Sequence, residues 1–411
     1  MRKKTRNNNK KILCLLTQDL ESPSGLGRYY PLCKNLAKQG FEVEIAALHS
    51  NFKSLEVTQF VREGVNISYV AQMHIKKLHH QTRYFNVFQL LWFSLSATWM
   101  LLLFVLKNPS DTILIGKPHP MNSIAGLIGG RCRGSRIILD CDDYEAASNY
   151  FSSSWQQWVI RVFENSVPKL VDHITTNTYF NKDRMIGLGI SPDKIDYLPN
   201  GIDQERFQNL DPLIESQIKQ DLDLKGKKVI AYIGSLNLAN HPVDLLIRAF
   251  RAIKDEEESA FLLIVGGGKD LDVLKALVEE QGVGEHTYFA GRVPPDLVPY
   301  YYKVAHVSVD PVHDNDAAKG RCPLKMFESW AMGTPFITAD VGDRRYLAGE
   351  FSGYTLAKPG DHLSLAHSAV TILQDVNLIF KLTDFYRKKV KDYFWNTITS
   401  NCLHIFSTKK I

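Results

Sequence analysis

Charged side chains occur at helical spacing in residues 320–335, whose sequence is GRCPLKMFESWAMGTP. Pro323 can begin a helix because it has no amide hydrogen to leave unpaired, and Gly333 can end the helix before the apolar strand FITA. Glu328 lies inside this helix and shares a face with Lys325. The cations around the beginning of the helix are Lys319, Arg321 and Lys325. Helix amides and the helix dipole attract anions, so the segment predicts an anion-binding site.

Glycine-rich loops follow two strands expected in the second half of the chain. VIAYIGSLN places Gly234 and Ser235 after one strand, and AFLLIVGGGKD places Gly267 between two further glycines after the next. Glycine lets the backbone approach a ligand closely. Together with the cations near residue 320, these loops suit a diphosphate held by backbone amides and charged side chains. The combination favours a nucleotide over two ordinary turns.

A third glycine loop, SPSGLGRYY, follows the first expected strand. Gly25 and Gly27 would let the backbone approach a ligand, and Arg28 places a cation at the beginning of the next helix. The loop lacks the third glycine of the dinucleotide-binding fingerprint, so no NAD site is predicted. A ligand loop and a plain tight turn both remain open.

Three carboxylates follow another expected strand in SRIILDCDDYE. Asp140 and Asp142 have the spacing of a divalent-cation site. Alternatively, Asp142 and Asp143 face the ligand as catalytic groups without a metal, or the segment is a solvated loop that caps the next helix. Our catalytic candidates are Asp142, Asp143 and Lys325, and no metal ligand is assigned. The lone histidines His119 and His241 fall in predicted loops, where exposure is commoner than catalysis.

Short apolar runs alternate with helical patterns along the 411 residues, which predicts parallel sheets built from βαβ units. The expected strands are KILCLL, FEVEIAAL, VNISYV, TILIG, SRIILD and HITT in the first half, and VIAYIG, AFLLIVGG, TYFAG, VSVDP and PFITA in the second. This length exceeds one comfortable core, so we expect two doubly wound domains facing a cleft, with a linker near residues 200–225. The predicted divisions are an N-terminal acceptor domain (1–205), a C-terminal nucleotide-sugar domain (206–385) and a C-terminal helix packing back toward the first domain (386–411).

Charge and cysteine content narrow the class of protein. The net charge of +5 is small, and much of it lies in the start MRKKTRNNNKK, so a nucleic-acid partner is not predicted. This start is either a solvated tail or a contact with anionic lipid. The six cysteines form no CxxC pair, which is typical of reduced thiols in a cytosolic protein.

Residues 84–106, YFNVFQLLWFSLSATWMLLLFVL, contain no charged side chain and are long enough to cross a bilayer. The segment occupies the position of a crossover helix between two strands. Three alternatives remain open: a helix packed on the sheet, a helix lying in the membrane interface, and a true span.

Several long segments resemble the retaining GT-B glycosyltransferases of glycosyltransferase family 4, also called group 1. They are PSGLGRYY with LAKQGFEVEIAAL, ISPDKIDYLPNGIDQERF, YIGSL, the run from LLIVGGGKD to VSVDP, PLKMFESWAMGTPFI and YFWNTI. The resemblance covers nearly the whole chain. It implies that a nucleotide sugar binds the C-terminal domain as a substrate, that the acceptor meets it from the N-terminal domain, and that no metal or other cofactor is required.

The resemblance also implies roles for individual residues. Glu328 matches the second glutamate of the family's Glu-x7-Glu motif, which grips the nucleotide ribose, and the backbone at Arg292 and Val293 matches the segment that reads the base. Gly25, Gly27 and Gly234 match glycines that line the phosphate and sugar. The predicted donor-binding residues are Gly25, Gly27, Gly234, Ser235, Gly267, Arg292, Val293, Lys319, Arg321, Lys325 and Glu328.

The sequence departs from the family pattern at three places. The first glutamate of the motif falls at Gly320, where Asp314 or Asp316 from the same loop are candidate substitutes. SLNLANHP stands where an arginine and a lysine usually follow the YIG strand, and the cations of residues 319–325 are expected to supply that charge. The family's N-terminal catalytic-site histidine corresponds to the DCDDYE segment.

We therefore expect transfer of a sugar, with retention, from a UDP- or GDP-linked donor to a hydroxyl acceptor in surface polysaccharide or glycolipid assembly. Stabilisation of the leaving diphosphate would supply most of the rate enhancement. The acceptor is expected to be a saccharide or lipid-linked saccharide, and the protein to be cytoplasmic, with peripheral contact to the inner face of the membrane as an option. The alternatives are a metal-dependent GT-A-type transferase built on DCDD, and a degenerate protein that binds a nucleotide sugar without transfer.

Overall fold

The computed structural model describes residues 10–22, 24–78, 81–149, 151 and 153–408. Internal contacts divide the chain into unit 1, Met1–Gly201 with Trp395–Ile411, and unit 2, Ile202–Phe394. The second boundary predicted from the sequence, between residues 385 and 386, falls inside the continuous helix Val376–Lys389. Most of the basic start of the chain, residues 1–9, lies outside the described residues.

Unit 1 contains an eight-stranded sheet and a separate two-stranded hairpin. Its strands are β1 (Lys11–Leu16), β2 (Glu42–His49), β3 (Gln59–Arg62), β4 (Val65–Gln72), β5 (Ile75–Leu78), β6 (Gln81–Tyr84), β7 (Thr112–Gly116), β8 (Arg136–Cys141), β9 (His173–Thr176) and β10 (Ile195–Tyr197). The sheet order is β10-β9-β8-β7-β1-β2-β4-β3, and β5 pairs with β6. Neighbouring strands of the large sheet are parallel, apart from the antiparallel pair of β3 and β4.

Helices cover both faces of this sheet, as buried parallel strands require. They are α1 (Tyr30–Lys38), α2 (Val87–Lys107), α3 (Pro120–Arg133), α4 (Glu145–Ser148), α5 (Ser154–Ser166) and α6 (Tyr179–Gly187). Alternation along β1 divides the core: Ile12 and Cys14 pack on the α1 side, whereas Leu13 and Leu15 pack on the α2 and α3 side. The strand ends that carry the polar residues are therefore held between two apolar layers.

Unit 2 is a six-stranded parallel sheet in the order β13-β12-β11-β14-β15-β16. Its strands are β11 (Lys228–Ile233), β12 (Ala260–Val265), β13 (Thr287–Gly291), β14 (Val307–Asp310), β15 (Phe336–Ala339) and β16 (Leu356–Ala357). Its helices are α7 (Pro212–Asp221), α8 (Val243–Glu256), α9 (Leu271–Glu280), α10 (Val298–Lys303), α11 (Asp316–Lys319), α12 (Leu324–Ala331), α13 (Arg344–Ala348), α14 (Ser352–Thr355), α15 (His362–Gln374) and α16 (Val376–Lys389). Helix α7 lies inside the stretch 200–225, which the sequence predicted to be a linker.

The C-terminal segment belongs to unit 1, where it forms α17 (Trp395–Asn401) and α18 (Leu403–Ser407). Trp395 and Phe406 are fully buried in the core on the α1 side of the sheet. Arg136 of β8 donates a hydrogen bond to the carbonyl of Ile405. These contacts close the face of the unit 1 sheet that α1 alone leaves open.

The α/β class and the eleven predicted strands are confirmed. The strands that the sequence did not predict, β3, β5, β6, β10 and β16, are short and lie at sheet edges or in the hairpin. Each of these strands has only two to four residues, which is too short to display a long apolar period.

Helix α2 is the crossover helix expected from residues 84–106, and it packs on α3 and β4. Its inward stripe is Ala97, Leu101 and Val105. Its opposite face exposes large apolar side chains, so most of this helix is not core. By length and composition, α2 is long and apolar enough to cross a membrane.

Candidate functional site

Lys325 is the central cation at the carboxyl ends of the unit 2 strands. It lies in the first turn of α12, and its Nζ is 2.6 Å from Oδ1 of Asp310, the last residue of β14. The same Nζ donates to the hydroxyl of Tyr232 in β11 at 3.2 Å and lies 4.4 Å from the centroid of its ring. Because three elements converge here, the ammonium group is fixed in position. We call Tyr232, Asp310 and Lys325 the lysine cluster.

The lysine cluster is held in its charged state. Burial alone would lower the pKa of Lys325, but Asp310 and Tyr232 outweigh it and raise the pKa above its ordinary value. Burial likewise opposes ionisation of Asp310, yet the ammonium group of Lys325 holds its pKa below the usual range. Burial and the neighbouring Lys325 lower the pKa of His241 to about 3, so its imidazole is neutral near pH 7. The cluster therefore presents one stable ion pair beside one neutral ring.

The glycines of unit 2 fall into two groups. A Cβ on Gly234 would lie 2.6 Å from Cε of Lys325, and one on Gly267 would lie 3.0 Å from the side chain of Arg292. In contrast, a Cβ on Gly266 would lie 1.8 Å from the carbonyl of Gly234, and one on Gly268 would lie 2.1 Å from the carbonyl of Leu236. Gly234 and Gly267 thus adjoin charged side chains, whereas Gly266 and Gly268 let the two loops pack on each other. Sequence reasoning did not separate these two needs.

The three predicted cations before and within α12 are not used alike. Arg321 donates to the carbonyl of Asn240 in the loop after β11, at 3.4 Å, so it joins Lys325 near that loop. Lys319 instead pairs with Asp314 at 2.8 Å, and both side chains are substantially exposed. The structure therefore brings Arg321 and Lys325 toward the same loop and gives Lys319 a partner in its own loop.

Arg344, which the sequence analysis did not select, fixes the loop that leads to α12. It is buried, and its Nη1 donates to the carbonyls of Ala318 and Val341. Gly320 ends α11 in this loop and is itself buried. Of its suggested substitutes, Asp314 is paired with Lys319 and Asp316 begins α11. Arg344 thus holds the loop that contains Gly320, the position of the first glutamate in the family motif.

Glu328 lies one turn after Lys325 on α12 and is half-buried. Its Oε2 accepts a hydrogen bond of 3.3 Å from the hydroxyl of Tyr302, and burial raises its pKa. A carboxylate with one such partner keeps acceptor sites free for two ligand hydroxyls. Arg292 is exposed and Val293 packs partly against the core, in the loop after β13. Ser235 is exposed, and its carbonyl accepts from Tyr232 at 2.8 Å.

Unit 1 gathers four carboxylates, Asp140, Asp142, Asp143 and Glu145, after β8; we call them the carboxylate cluster. Arg28 donates to both oxygens of Asp140, at 2.7 and 2.6 Å, and lies 3.6 Å from Asp142. All three side chains are buried. Such a bidentate pair is among the strongest charge-assisted contacts in proteins. The arginine lies directly before α1, as expected, but its side chain is buried and paired with Asp140 inside unit 1.

Lys117, which the sequence analysis also missed, is the second cation of the carboxylate cluster. Its Nζ lies 2.7 Å from Glu145, 3.2 Å from Asp143 and 3.5 Å from Asp142. Burial would lower its pKa, but these carboxylates raise the pKa well above its ordinary value. Its backbone adopts a φ of 67°, in the left-handed region that non-glycine residues rarely occupy. Such strain is often found at functional sites.

His119 is joined to the same cluster. Its Nε2 lies 3.0 Å from Glu145, and its Nδ1 lies 2.7 Å from the hydroxyl of Thr17 at the end of β1. Glu145 is in turn positioned by Glu164, which accepts from the amides of Glu145 and Ala146. The predicted loop histidine is therefore a partner in a network that links the ends of β1, β7 and β8. Asp143 is the carboxylate of the cluster with the most exposed side chain, at 23%.

Gly25 has a packing reason to be glycine. It begins a wide helical turn, Gly25–Tyr29, and a Cβ at this position would lie 2.4 Å from the carbonyl of Asp19. The tight-turn alternative therefore accounts for Gly25. The donor-binding role of Gly25 and of the half-buried Gly27 stays a prediction.

The divalent-cation alternative for Asp140 and Asp142 does not agree with their contacts. Asp140 is occupied by Arg28 and also accepts from Thr175 at 2.6 Å, and Asp142 lies between Arg28 and Lys117. Within the described part of the chain, no group of three histidine, cysteine, aspartate or glutamate side chains is arranged to hold a metal. The protein's own cations take the place that the Asp-x-Asp spacing suggested for an ion.

Two family models match the chain over most of its length. Residues 25–206 match a model described as Glycosyltransferase Family 4, and residues 227–375 match a model described as Glycosyl transferases group 1. The chain belongs to these glycosyltransferases. The predicted family is thereby confirmed.

Relatives and solved structures agree with this assignment. The GDP-mannose-dependent alpha-(1-6)-phosphatidylinositol monomannoside mannosyltransferase of Mycobacterium tuberculosis is 27% identical over 58% of this chain and 60% of its own. A D-inositol 3-phosphate glycosyltransferase of Acidothermus cellulolyticus is 29% identical over 44% of this chain and 40% of its own. The chain spans about three fifths or less of the length of these curated relatives.

The solved structures establish the fold. Sucrose-phosphate synthase of Thermosynechococcus elongatus superposes with a TM-score of 0.74 at 16% identity, covering 97% of this chain and 98% of that one. Anabaena Alr3699/HepE, solved in complex with UDP, gives a TM-score of 0.72 at 15% identity, covering 97% and 99%. The two Rossmann-like sheets predicted for the GT-B class are confirmed.

Proposed function

We propose that this glycosyltransferase moves a sugar from a nucleoside diphosphate sugar to a hydroxyl acceptor, with retention at the anomeric carbon. The observation that carries the proposal is the lysine cluster, in which Lys325 is fixed 2.6 Å from Asp310 beside Gly234. A preorganised cation next to exposed backbone can stabilise the charge that develops on a leaving diphosphate. Family membership supplies the reaction class that this geometry serves.

The donor would be held by the parts of unit 2 already described. Gly234, Ser235 and Gly267 offer backbone, and Arg321 and Lys325 offer charge, to the diphosphate. Glu328 would accept the two ribose hydroxyls, and the loop of Arg292 and Val293 would meet the base. UDP-sugars and GDP-sugars are the donors to test first, since the Anabaena protein was solved with UDP and the mycobacterial relative is GDP-mannose-dependent.

The carboxylate cluster would act on the acceptor. Asp143 is its most accessible carboxylate and can accept a hydrogen bond from the acceptor hydroxyl, while Nζ of Lys117 lies 3.2 Å from Asp143 and 3.5 Å from Asp142. The scheme uses no bound metal, because Arg28 and Lys117 already lie against the buried carboxylates Asp140 and Glu145. We therefore propose a metal-independent reaction.

We further propose a saccharide or lipid-linked saccharide as the acceptor, in surface polysaccharide or glycolipid assembly. The protein would be cytoplasmic and would contact the inner face of the membrane peripherally. The exposed apolar face of α2 supports this location, and the mycobacterial relative is a phosphatidylinositol monomannoside mannosyltransferase.

A thermal-shift panel of UDP-, GDP-, ADP- and CDP-sugars, with and without EDTA, tests the donor site. We expect stabilisation by one nucleotide family, unchanged by EDTA and lost in Glu328→Ala and Lys325→Ala. Binding that requires a metal and ignores both variants would contradict the proposal and favour the DCDD alternative.

The structure also motivates a second candidate function, nucleotide-sugar binding without transfer. Gly320 provides no carboxylate where the motif has its first glutamate, and Asp314 is engaged by Lys319. Donor hydrolysis and transfer to simple alcohols or saccharides, measured by release of the nucleoside diphosphate, separate the two functions. Stabilisation by the donor without any release would favour the binding protein.

A further inference from the structure

The outward face of α2 is unusual for a helix in a sheet protein. Phe88 is 85% exposed, Trp92 and Leu95 are each 69% exposed, and Trp99 is 59% exposed. Their spacing places them on one stripe, opposite the buried stripe of Ala97 and its neighbours. A stripe of this size is not explained by packing within unit 1, because the inward stripe already serves that purpose.

Exposed tryptophans also lie on α5, which is linked to α2 through α3. Helix α3 packs on α2 and contacts α5, whose Trp155 and Trp158 are also exposed. Four of the six tryptophans of the chain therefore lie on these helices at the surface, while Trp330 and Trp395 are fully buried. We call this surface the apolar face; its main side chains are Phe88, Trp92, Leu95, Trp99, Trp155 and Trp158. Tryptophan favours the boundary between lipid tails and water.

The charges on these three helices have one sign at the surface. Their basic side chains are all exposed: Lys107, Arg131, Arg133 and Arg161. The acidic side chain in α2, α3 and α5 is Glu164, which is 1% exposed and faces the carboxylate cluster. The apolar face is thus bordered by cations without a competing surface carboxylate on the same helices, which complements an anionic surface.

We propose that the apolar face docks on an anionic lipid bilayer, with α2 lying in the plane of the interface. The proposal deepens the membrane contact of the proposed function and rests on it. The helix is held to the sheet by Ala97, Leu101 and Val105, and it connects strands of one parallel sheet, so it enters the headgroup region without crossing. Interfacial helices bury an apolar face while basic residues meet the lipid phosphates.

Vesicle flotation of the full chain tests the apolar contribution. The wild-type protein is expected to bind phosphatidylcholine vesicles that contain phosphatidylglycerol. The double variant Trp92→Ser with Trp99→Ser should bind them at least about tenfold more weakly. The matched control is Leu213→Ser with Phe380→Ser, two apolar residues of unit 2 that are 76% and 69% exposed. Equal losses in both double variants, or no binding by the wild type, would overturn the proposal.

The charge contribution is tested on the same vesicles. Arg133→Gln and Arg161→Gln should each weaken binding about fivefold, since a basic residue near an anionic surface contributes about 1 kcal/mol. The protein should bind vesicles of phosphatidylcholine alone more weakly. Binding to these vesicles should be the same for the two variants and the wild type. Arg251→Gln is the control, because Arg251 is exposed in unit 2 and pairs within its own helix. A response identical to that of Arg251→Gln would overturn the role of the cations.

Two other arrangements of the apolar face predict different results. If the apolar face is an interface between copies, the protein will be dimeric by light scattering and the tryptophan double variant monomeric, without vesicle binding. If α2 crosses the bilayer, alkaline extraction will fail to release the protein. Either result overturns the proposal. Thermal stabilisation by the donor is measured in the same variants. If only the docking surface fails, this stabilisation stays intact. If the proposed function fails, this stabilisation is absent.

Discussion

Both units place charged side chains at the carboxyl ends of their parallel strands, but they balance those charges differently. In unit 2, Lys325 has one buried carboxylate partner, Asp310, and lies beside the backbone of Gly234. In unit 1, two cations, Arg28 and Lys117, face the four carboxylates of the carboxylate cluster. One cluster is suited to an anionic ligand, and the other carries surplus negative charge. The same strand-end position thus serves opposite electrostatic purposes.

The surrounding backbone differs as well. The lysine cluster adjoins glycine loops, which expose amides and let a phosphate approach. The carboxylate cluster is enclosed by side chains, from Thr17 and His119 to Glu164, and is strained at Lys117. We therefore expect substitutions in unit 2 to affect donor binding, and substitutions in unit 1 to affect turnover.

Loss of Lys325 should have the largest effect. Lys325→Ala removes the cation and leaves Asp310 without its partner, so we expect transfer to fall by about 10²- to 10³-fold, with loss of donor-induced stabilisation. Lys325→Arg keeps the charge and should recover part of the activity. Lys388→Ala, which removes a lysine from the exposed Lys388–Asp384 pair, is the control and should leave both measurements unchanged. Equal activity of Lys325→Ala and Lys388→Ala would remove the asymmetry between the units.

Gly234→Ala should rank second. The added Cβ would lie 2.6 Å from Cε and 2.7 Å from Nζ of Lys325, so the lysine must move away from the loop. We expect donor affinity, measured by titration calorimetry, to weaken by roughly 10- to 100-fold, because a displaced positioning group commonly costs this much. Gly353→Ala, also in unit 2, meets nothing within 4 Å and controls for loss of glycine. Unchanged affinity would mean that the phosphate does not bind beside Lys325.

Much of the fold could be predicted because each βαβ repeat leaves an apolar run in the sequence, from KILCLL to PFITA. The order of the site residues along the chain was also readable, since ligands in such sheets bind after strand ends. The sequence could not show which charged side chains form ion pairs with each other. Arg28 and Asp140 are far apart in the chain, and nothing in either motif indicates that one neutralises the other.

Residues at strand ends were missed for a related reason. Asp310 lies at the end of the expected strand VSVDP and Lys117 lies in the predicted loop GKPHP, and neither was selected as a site residue. Their roles depend on which strands are neighbours: β14 lies beside β11, and β7 beside β8. Strand order is a property of the assembled sheet, so local spacing did not reveal it. A systematic search of polar residues at every strand end would have included both.

Asp143→Asn should have a smaller effect than Lys325→Ala, and an effect of a different kind from both changes in unit 2. Asp143 is the most accessible carboxylate of the carboxylate cluster, so its loss should lower kcat by about 10- to 100-fold and leave donor stabilisation intact. Asp183→Asn, on the exposed side of α6, is the matched control. Loss of donor stabilisation in Asp143→Asn would place this carboxylate on the donor instead, and the division of roles between the units would fail.

The last prediction concerns stability and its pH dependence, not donor binding or turnover. Burial raises the pKa of Glu164 from 4.5 to about 7, so its protonated form favours the folded state. This stabilisation is fully present below about pH 4.5 and is lost as the pH rises through 7. In Glu164→Gln the side chain cannot ionise, so the variant should gain stability relative to the wild type between pH 5 and 8, by about 3 kcal/mol at most.

Urea unfolding at several pH values measures this difference. Glu280→Gln, an exposed glutamate of unit 2, is the control and should show no trend over the same interval. The lysine cluster should show none either, because the pKa values of Lys325 and Asp310 are shifted away from neutrality in opposite directions. A flat difference for Glu164→Gln would mean that the carboxylate is ionised throughout, stabilised by the amides of Glu145 and Ala146 and by Arg184. Glu164, which positions the carboxylate cluster, would then be as insensitive to pH as the lysine cluster. The electrostatic contrast between the units would rest on the number of charges alone.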